Sequence, residues 1–301
     1  MKCLTMLAVV FAPGCAALGQ VDTGTVEVFL QPEDNISIGM SGGTGPGDMA
    51  DGWSITYDAF VVAFGGVEAR RSEDGSALLK DDTVHLVDFK NTPASGMTVF
   101  RFENAAATRW DRFSYSMPVA TAAARVAPGV APSDAQRMVE QGLSARIVGT
   151  ARKTGGQSCP NGNQASCVAR DEVRFTFELR FGQTYGDCGP EEGDTGFAVP
   201  AGGTVQLKPT FHGDHWFLSS HATHNNALYA QWIADSDVNG DGEVDFAELQ
   251  NVPAAGVFPS SRYNLSGFPG SISTAADYLE VGIRTMGHFQ GEGECSTRTP
   301  L

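Results

Sequence analysis

The chain has 301 residues, a formal net charge of −15 and 42% hydrophobic residues. This hydrophobic content can build a real core and excludes an intrinsically disordered chain, and the length allows one large β domain or two modest ones. The acidic balance excludes nucleic acid and anionic lipid head groups as expected partners, because both repel a negatively charged protein.

Residues 1–19 have the pattern of an export signal, with an apolar run at 4–12 that, at about nine residues, is too short to span a bilayer. Two processing routes remain open. The run Ala-Pro-Gly-Cys15 resembles a bacterial lipobox, which implies a periplasmic or cell-surface lipoprotein whose only link to the membrane is a lipid on Cys15. Cleavage after Gly19, at a small-x-small pattern, implies a secreted protein instead. Both routes place the protein outside the cytoplasm.

From 20 to 210 the sequence predicts a mainly β domain. Apolar and polar residues alternate in short runs separated by Gly- and Asp-rich turns, which predicts an antiparallel β-sandwich with one buried face per sheet. The clearest run is 172–181, in which Val173, Phe175 and Phe177 share one face with later apolar residues and should face the core. The predicted strands are 25–30, 53–62, 84–89, 97–102, 111–117, 144–149, 172–181 and 203–208.

Helices are predicted at two places outside this alternation. The stretch from Ser133 to Gln136 has the form of a capping box, and Gly142 marks the end of the helix that follows. A later helix is expected from Ser273, as N-cap, to about Met286. The segment 211–301 is therefore expected to be more helical than the domain before it.

The cysteines indicate two disulfides. Six are present, and an exported chain loses Cys3 with the signal and either lipidates or loses Cys15. The four remaining cysteines are an even number, which favours disulfides in an oxidising compartment. A zinc site is disfavoured, because the sequence contains no Cys-x-x-Cys spacing. Three connectivities are possible, and the favoured one joins Cys159 to Cys167 across a short polar loop and Cys188 to Cys295. The second bond would tie the C-terminal segment to the main body.

Four of the six histidines lie close together, at His212, His215, His221 and His224. Imidazole is the usual neutral ligand for zinc or copper, and Asp214 could add an oxygen, so this stretch is a candidate transition-metal site. On a strand, His212 and His215 would point to opposite faces. The alternative is a group of polar residues that cap or bond the backbone where the β domain meets the next helix.

An acidic loop at 237–248 has the spacing of calcium ligands. Calcium takes about six to eight oxygens at about 2.3 to 2.6 Å, which a loop of this type offers at positions 1, 3, 5, 7, 9 and 12. Those positions hold Asp237, Asn239, Asp241, the main-chain carbonyl of Glu243, Asp245 and Glu248. Gly242 at position 6 permits the sharp turn.

This loop resembles an EF-hand. The resemblance implies bound Ca²⁺, an entering helix expected at 225–233 and an exiting helix of about two turns before Pro253. The loop is also similar to the dockerin type, although dockerins carry two copies and typically close them with Asp, whereas this single copy closes with Glu248. The remaining alternative is an acidic surface turn that binds nothing.

A single loop of this type needs packing contacts with other parts of the protein. EF-hands usually pair through position 8, and no second loop with this spacing occurs in the sequence. Val244, at position 8, and the flanking helices are therefore expected to dock on the rest of the protein. That favours a structural or weak site, of about 10⁻⁴ to 10⁻³ M, over a calcium sensor.

Three stretches, 53–66, 85–89 and 109–118, resemble in their order the periplasmic copper-binding proteins associated with methanobactin operons. The resemblance covers about half the chain. It implies copper bound through histidines, with the cluster from His212 to His224 as the place to look, while an EF-hand departs from that family's pattern.

The leading hypothesis is an exported, non-enzymatic calcium-binding protein in which the EF-hand stabilises the C-terminal segment. The alternative is a periplasmic or surface copper- or zinc-binding protein. The run Gly39-Met-Ser41-Gly-Gly43 matches a hydrolase pattern, but the glycines and proline that follow Ser41 exclude the helix that a nucleophile elbow needs.

Overall fold

The computed structural model describes residues 22–72, 78–220, 226–268 and 270–301. The expected export signal, with Cys3 and Cys15, lies outside these ranges, as do His221 and His224. Within them the protein is mainly β, as the alternating sequence pattern predicts.

The strands are β1 Thr23–Leu30, β2 Ser54–Arg70, β3 Leu78–Asp81, β4 His85–Asp88, β5 Met97–Ala106, β6 Arg109–Trp110, β7 Arg112–Met117, β8 Arg125–Val126, β9 Ala145–Arg152, β10 Gln157–Ser158, β11 Val168–Ala169, β12 Glu172–Leu179, β13 Gln183–Cys188, β14 Phe197–Ala198, β15 Thr204–Leu207, β16 Pro209–Phe211, β17 Glu243–Asp245, β18 Gly287–Phe289 and β19 Cys295–Pro300. The α-helices are α1 Asp34–Ser37, α2 Pro132–Gln141, α3 Gln231–Ser236, α4 Phe246–Leu249, α5 Ala254–Val257 and α6 Ala275–Thr285. Short 3₁₀ turns lie at Pro160–Gly162, Gln164–Ser166, His215–Phe217 and Leu265–Gly267.

One large sheet organises the protein. Its strand order is β17-β12-β9-β2-β7-β13-β19, and in addition β3 and β4 pair with β2, and β8 pairs with β4. A smaller sheet has the order β15-β1-β5. The ring of Phe64 in β2 lies 5.9 Å from that of Phe100 in β5, and both belong to one hydrophobic cluster. The two sheets therefore share a core.

Most strand pairs among the described residues are antiparallel, as predicted, but three are parallel. These are β1 with β15, β4 with β8 and β12 with β17. Parallel neighbours need a long connection between them, so a sequence pattern that records only alternation cannot reveal them.

The register of β12 follows directly from its alternation. Val173, Phe175, Phe177 and Leu179 are buried, whereas Glu172 and Arg174, on the other face, are exposed. A slip of one residue would expose the whole apolar set, so pairing with β9 is firmly fixed. The strand ends at Leu179, and Phe181, which the sequence placed in it, instead lies under the guanidinium of Arg284 at 3.8 Å.

The helices predicted to begin at Ser133 and after Ser273 are both present, but their starting points differ from the prediction. The N-cap of α2 is Ala131, with Pro132 at the first helical position and no side-chain cap, so the capping box assigned to Ser133 is wrong. Proline pre-sets the helical φ angle and has no N–H to satisfy, which moves the start earlier. The capping box of α6 is formed by Thr274 and Asp277, one residue after the expected N-cap.

The segment 211–301 contributes strands as well as helices. Strands β17 and β19 join the large sheet at its two ends, and β18 pairs with β16. Apolar residues of α3 and α6 belong to the same cluster as those of β2 and β12. The C-terminal segment is thus packed on the same core as the strands before it.

Both favoured disulfides are present. Cys159 is bonded to Cys167, and Cys188 is bonded to Cys295, where β13 pairs with β19. Two disulfides fit an exported protein in an oxidising compartment. Among the described residues, no helix has the length and apolar character needed to cross a bilayer.

The two disulfides should differ in their effect on stability. Replacing Cys188 and Cys295 by Ser opens a loop with a separation of 107 residues, against 8 for the other bond. The chain-entropy model then predicts a loss of about 4 to 5 kcal/mol for the long loop, and about 2 kcal/mol less for the double replacement of Cys159 and Cys167. Urea unfolding of both variants in saturating calcium checks this order, and equal losses would contradict it.

Candidate metal sites

The acidic loop is closed by hydrogen bonds from its backbone to its own side chains. Gly242 N donates to Asp237 Oδ2 at 3.1 Å, and Asp241 N donates to Asn239 Oδ1 at 2.8 Å. Glu243 N donates in turn to Asp241 Oδ1 at 2.8 Å. Gly242 has a φ of +85°, a conformation that L side chains rarely adopt, so glycine is required there. The loop holds this shape through local contacts.

The last carboxylate of the loop, that of Glu248, contacts the backbone at the start of the loop. Glu248 Oε1 accepts from Val238 N at 2.9 Å and from Asn239 N at 3.2 Å, next to Asp237. Asp237 is fully buried, and its Oδ1 has no hydrogen-bond partner among the described residues. A buried oxygen without a partner costs about 1 to 3 kcal/mol, and a hard cation would satisfy it.

The electrostatics of the loop also favour a cation. Burial raises the pKa of the Glu248 carboxyl, and the like charges of Asp237 and Asp241 push it in the same direction. Asn239, Asp241, Asp245 and Glu248 border a cavity of about 280 Å³, which Arg146 and Arg174 also line. The donor set is all oxygen, which suits calcium better than a transition metal.

The large sheet holds the loop at its eighth position. Strand β17 pairs in parallel with β12, with Val244 opposite Phe175 and Asp245 opposite Thr176. Val244 is 1% exposed. The residue at position 8 of the loop is thus paired with the edge of the large sheet.

Arg170 contacts Asp237, which the sequence did not indicate. Its Nη2 lies 3.1 Å from Asp237 Oδ2 and donates to Gly240 O at 2.8 Å. Because the guanidinium engages Oδ2, the other oxygen of Asp237 is left without a partner. Arg170 therefore compensates only part of this buried charge.

A disulfide-closed hairpin positions Arg170. The hairpin consists of β10 and β11, with the Cys159–Cys167 bond between them, and Arg170 follows β11 directly. The β10 end of the hairpin docks on α3. Ser158 Oγ donates to Ala234 O at 2.6 Å, and Cys159 N donates to Asp235 Oδ1 at 2.8 Å. The hairpin thus contacts both the entering helix and the loop.

The flanking helices are shorter than expected. The entering helix begins at Gln231 rather than near 225, because Asp51 Oδ2 accepts from Ala230 N at 2.9 Å and from Gln231 N at 2.8 Å and so caps it from a distant part of the chain. The exiting helix, α4, has a single turn.

A second group of ligand-type side chains lies where β16 meets β18. Thr210 is opposite His288 in this pair, and His212 N donates to Met286 O at 2.9 Å. His212 and His288 are therefore diagonal neighbours on one face, with ring centroids 4.2 Å apart. The ring of His215 lies 5.3 Å from that of His212 and 5.0 Å from that of His288.

Two sets of ligand atoms converge in this cluster. One nitrogen or oxygen from each of His212, Asp214 and His215 lies within 4.8 Å of the others, and so do atoms of Glu33, His212 and Glu292. Two of the four predicted histidines, His212 and His215, belong to this cluster, and the other two, His221 and His224, lie outside the described residues. Sequence analysis did not identify His288 or Glu33, because neither lies near the histidine-rich stretch in the chain.

Burial sets the protonation of these groups. It raises the pKa of the Glu33 carboxyl to about 7, against the opposing effect of nearby His212, and it raises the pKa of Asp214 as well. It lowers the pKa of His288 to about 3, with His212 acting in the same direction. His288 is therefore neutral near pH 7, which is the form of imidazole that binds metals.

Calcium should compensate for the loss of Arg170. Arg170→Ala leaves the buried Asp237 carboxylate without its cation, and because Arg170 is itself 25% exposed we expect a loss of about 2 to 4 kcal/mol without calcium. With calcium bound the loss should be smaller. Arg174→Ala is the control, because Arg174 and its partner Glu243 are both mostly exposed. Thermal unfolding in EGTA and in calcium measures the difference, and an equal loss in both would contradict a cation at Asp237.

No family model, no curated protein and no solved structure matches this chain. The EF-hand, lipoprotein and copper-protein resemblances therefore stay predictions.

Proposed function

We propose that this is an exported, non-enzymatic calcium-binding protein with a β-sandwich fold, in which one calcium ion in the 237–248 loop fastens the C-terminal segment to the large sheet. The observation that carries the proposal is the buried Asp237 carboxylate, whose Oδ1 has no hydrogen-bond partner among the described residues although it stands at the first ligand position. A divalent ion at that oxygen would remove the cost of burying it.

The ligands of the proposed ion are Asp237, Asn239, Asp241, the main-chain carbonyl of Glu243, Asp245 and Glu248. Calcium accepts such a mixture of carboxylate, amide and carbonyl oxygens, whereas magnesium requires a tighter octahedron and retains several waters. The ion would also neutralise carboxylates that repel one another, which is the main electrostatic obstacle to keeping the loop compact.

The attachment of the loop favours a structural ion over a sensor. A sensor needs helices that can swing open to expose an apolar surface. Here α4 has one turn, and Trp232, Ile233 and Leu249 are fully buried in the main core. Binding would therefore stabilise one arrangement rather than switch between two.

The proposed location follows from the same chemistry. A weak structural site remains filled only where calcium is abundant, as outside the cell, and the two disulfides fit such a compartment. A lipid on Cys15 would anchor the protein at the periplasmic or cell surface, and cleavage after Gly19 would release it.

Calcium should raise the melting temperature through this loop. At a calcium concentration about 100 times the dissociation constant, binding contributes about 2.7 kcal/mol, which corresponds to roughly 5 °C for a chain of this size. Asp237→Ala and Glu248→Gln should abolish the difference between calcium and EGTA. Glu243→Ala is the matched control, because that position supplies only its main-chain carbonyl and its side chain is 71% exposed.

Calorimetric titration of the purified protein with calcium and then with magnesium tests the selectivity. One equivalent of calcium with little response to magnesium is the expected result. A wild-type melting curve that is identical in calcium and EGTA, together with no calcium in elemental analysis, would refute the proposal.

A further inference from the structure

A polar cavity of about 680 Å³ is lined by residues of α3 and of the disulfide-closed hairpin. Asp51, Lys153 and the loop residues Arg262 and Tyr263 complete its lining, which includes none of the proposed calcium ligands. We propose that this cavity binds a neutral carbohydrate of one or two sugar rings. Its volume lies within the range of small-molecule sites, about 300 to 1,000 Å³.

Two buried polar atoms in the lining have no protein partner. Tyr263 is 5% exposed, and its hydroxyl has no hydrogen-bond partner among the described residues. Asp51 Oδ1 is also buried and unpaired, whereas Oδ2 of the same carboxylate accepts from Ala230 N and Gln231 N. Buried polar atoms are nearly always paired in folded proteins, so these two atoms indicate a polar occupant of the cavity.

The Tyr263 hydroxyl keeps its proton. Burial raises the pKa of Tyr263 well above its ordinary value, and the nearby Asp51 carboxylate acts in the same direction. The hydroxyl can therefore donate one hydrogen bond and accept another, whereas ionised Asp51 only accepts. A ligand that satisfies both has to carry donors and acceptors side by side, as the adjacent hydroxyls of a sugar do.

The charges of the lining balance. Asp51 and Asp235 contribute two negative charges, and Lys153 and Arg262 contribute two positive ones. With no excess of either sign, the cavity has no net charge that would concentrate an anion or a cation. A neutral ligand is therefore favoured over a charged one.

The uncharged part of the lining is also rich in hydrogen-bonding groups. Gln157, Gln164 and Gln231 offer amides, and Ser261 offers a hydroxyl. An apolar ligand would leave such groups unpaired, at a cost in affinity. Because the hydroxyls of a sugar donate and accept as water does, a sugar can displace ordered water from a polar cavity while reproducing its hydrogen bonds.

The walls of the cavity are held by contacts within the protein. Gln231 Nε2 donates to Gln157 O at 2.8 Å and to Asp235 Oδ1 at 2.9 Å, which joins the hairpin to α3. The turn of the hairpin also lies so close to α5 that a Cβ at Gly162 would collide with the carbonyl of Gly256. A cavity formed before the ligand arrives lowers the cost of binding.

An organic amine is the alternative ligand, because an ammonium group would also suit two carboxylates. Lys153 Nζ donates to Asp51 O at 2.7 Å, so one cation already lies beside this residue. Arg262 acts in the same way on Asp235, whose pKa is raised by burial and lowered by that guanidinium. A further cation would be repelled by both side chains.

Calorimetric titration of the full mature protein with cellobiose, maltose, lactose and diacetylchitobiose tests the proposal, with spermidine as the cationic probe. We expect at least one disaccharide to bind and spermidine to bind more weakly. Tyr263→Phe should reduce the sugar affinity about 3-fold to 10-fold, the effect of one neutral hydrogen bond. Its melting temperature should not fall, because the hydroxyl has no partner within the described protein.

Asp51→Asn should reduce the affinity about 10-fold or more, because it removes a charged acceptor. Asparagine still caps α3, so the variant is expected to fold. Tyr229→Phe is the matched control and should bind as wild type, because Tyr229 lies against Tyr263, with ring centroids 5.5 Å apart, but does not line the cavity.

The calcium response of Tyr263→Phe should equal that of wild type, so the carbohydrate and calcium proposals succeed or fail separately. Three results would each overturn the carbohydrate site. These are no binding of any of the four disaccharides, tighter binding of spermidine than of every sugar, and an unchanged sugar affinity in Tyr263→Phe.

Discussion

Backbone pairing between β17 and β12 is the constraint on which the C-terminal segment depends. It sets Val244 opposite Phe175 at one end of the large sheet and covers an edge that would otherwise expose unpaired N–H and C=O groups. Because the acidic loop is continuous with β17, this pairing draws Asp237 into the interior. A carboxylate in that position has to be compensated, and the surrounding contacts can be understood as responses to that requirement.

The compensation comes from a part of the chain that is distant in sequence. Arg170 reaches Asp237 because the hairpin that precedes it is closed by the Cys159–Cys167 bond and docked on α3. Oxidation, strand pairing and the electrostatics of the loop are thus physically connected. A reduced hairpin would hold the guanidinium less firmly, and the acidic loop would then rely more heavily on a bound ion.

The two candidate sites differ in ligand chemistry but share an architecture. Each lies where the segment after residue 210 returns to the earlier strands and helices, at β12 for the oxygen-rich loop and at β2 and α1 for the histidines. Each also contains a buried polar atom that lacks a hydrogen-bond partner among the described residues, Asp237 Oδ1 in one and His288 Nε2 in the other, while His288 Nδ1 lies 3.7 Å from Glu294 Oε1. Oxygen ligands favour a hard ion and imidazoles favour a softer one, so the two sites differ in the cations that their ligands would suit.

Sequence analysis was sufficient for the features that depend on near neighbours in the chain. Alternation in 172–181 defined β12 and its buried face, the oxygen spacing in 237–248 defined the candidate calcium ligands, and the short polar loop indicated the first disulfide. These are local properties of period, spacing and turn chemistry. Where a local rule was applied to the wrong residue, as with the cap assigned to Ser133, a neighbouring proline decided the start of the helix.

Contacts between groups that are distant in the sequence became visible in the folded chain alone. It brought Arg170 to Asp237 and Glu33 to His212, and it placed His288 beside the other histidines through the pairing of β16 with β18. It also shortened the entering helix, because Asp51 caps it at Gln231. Such encounters depend on how strands and loops pack in three dimensions, and neither periodicity nor spacing along one chain records that packing.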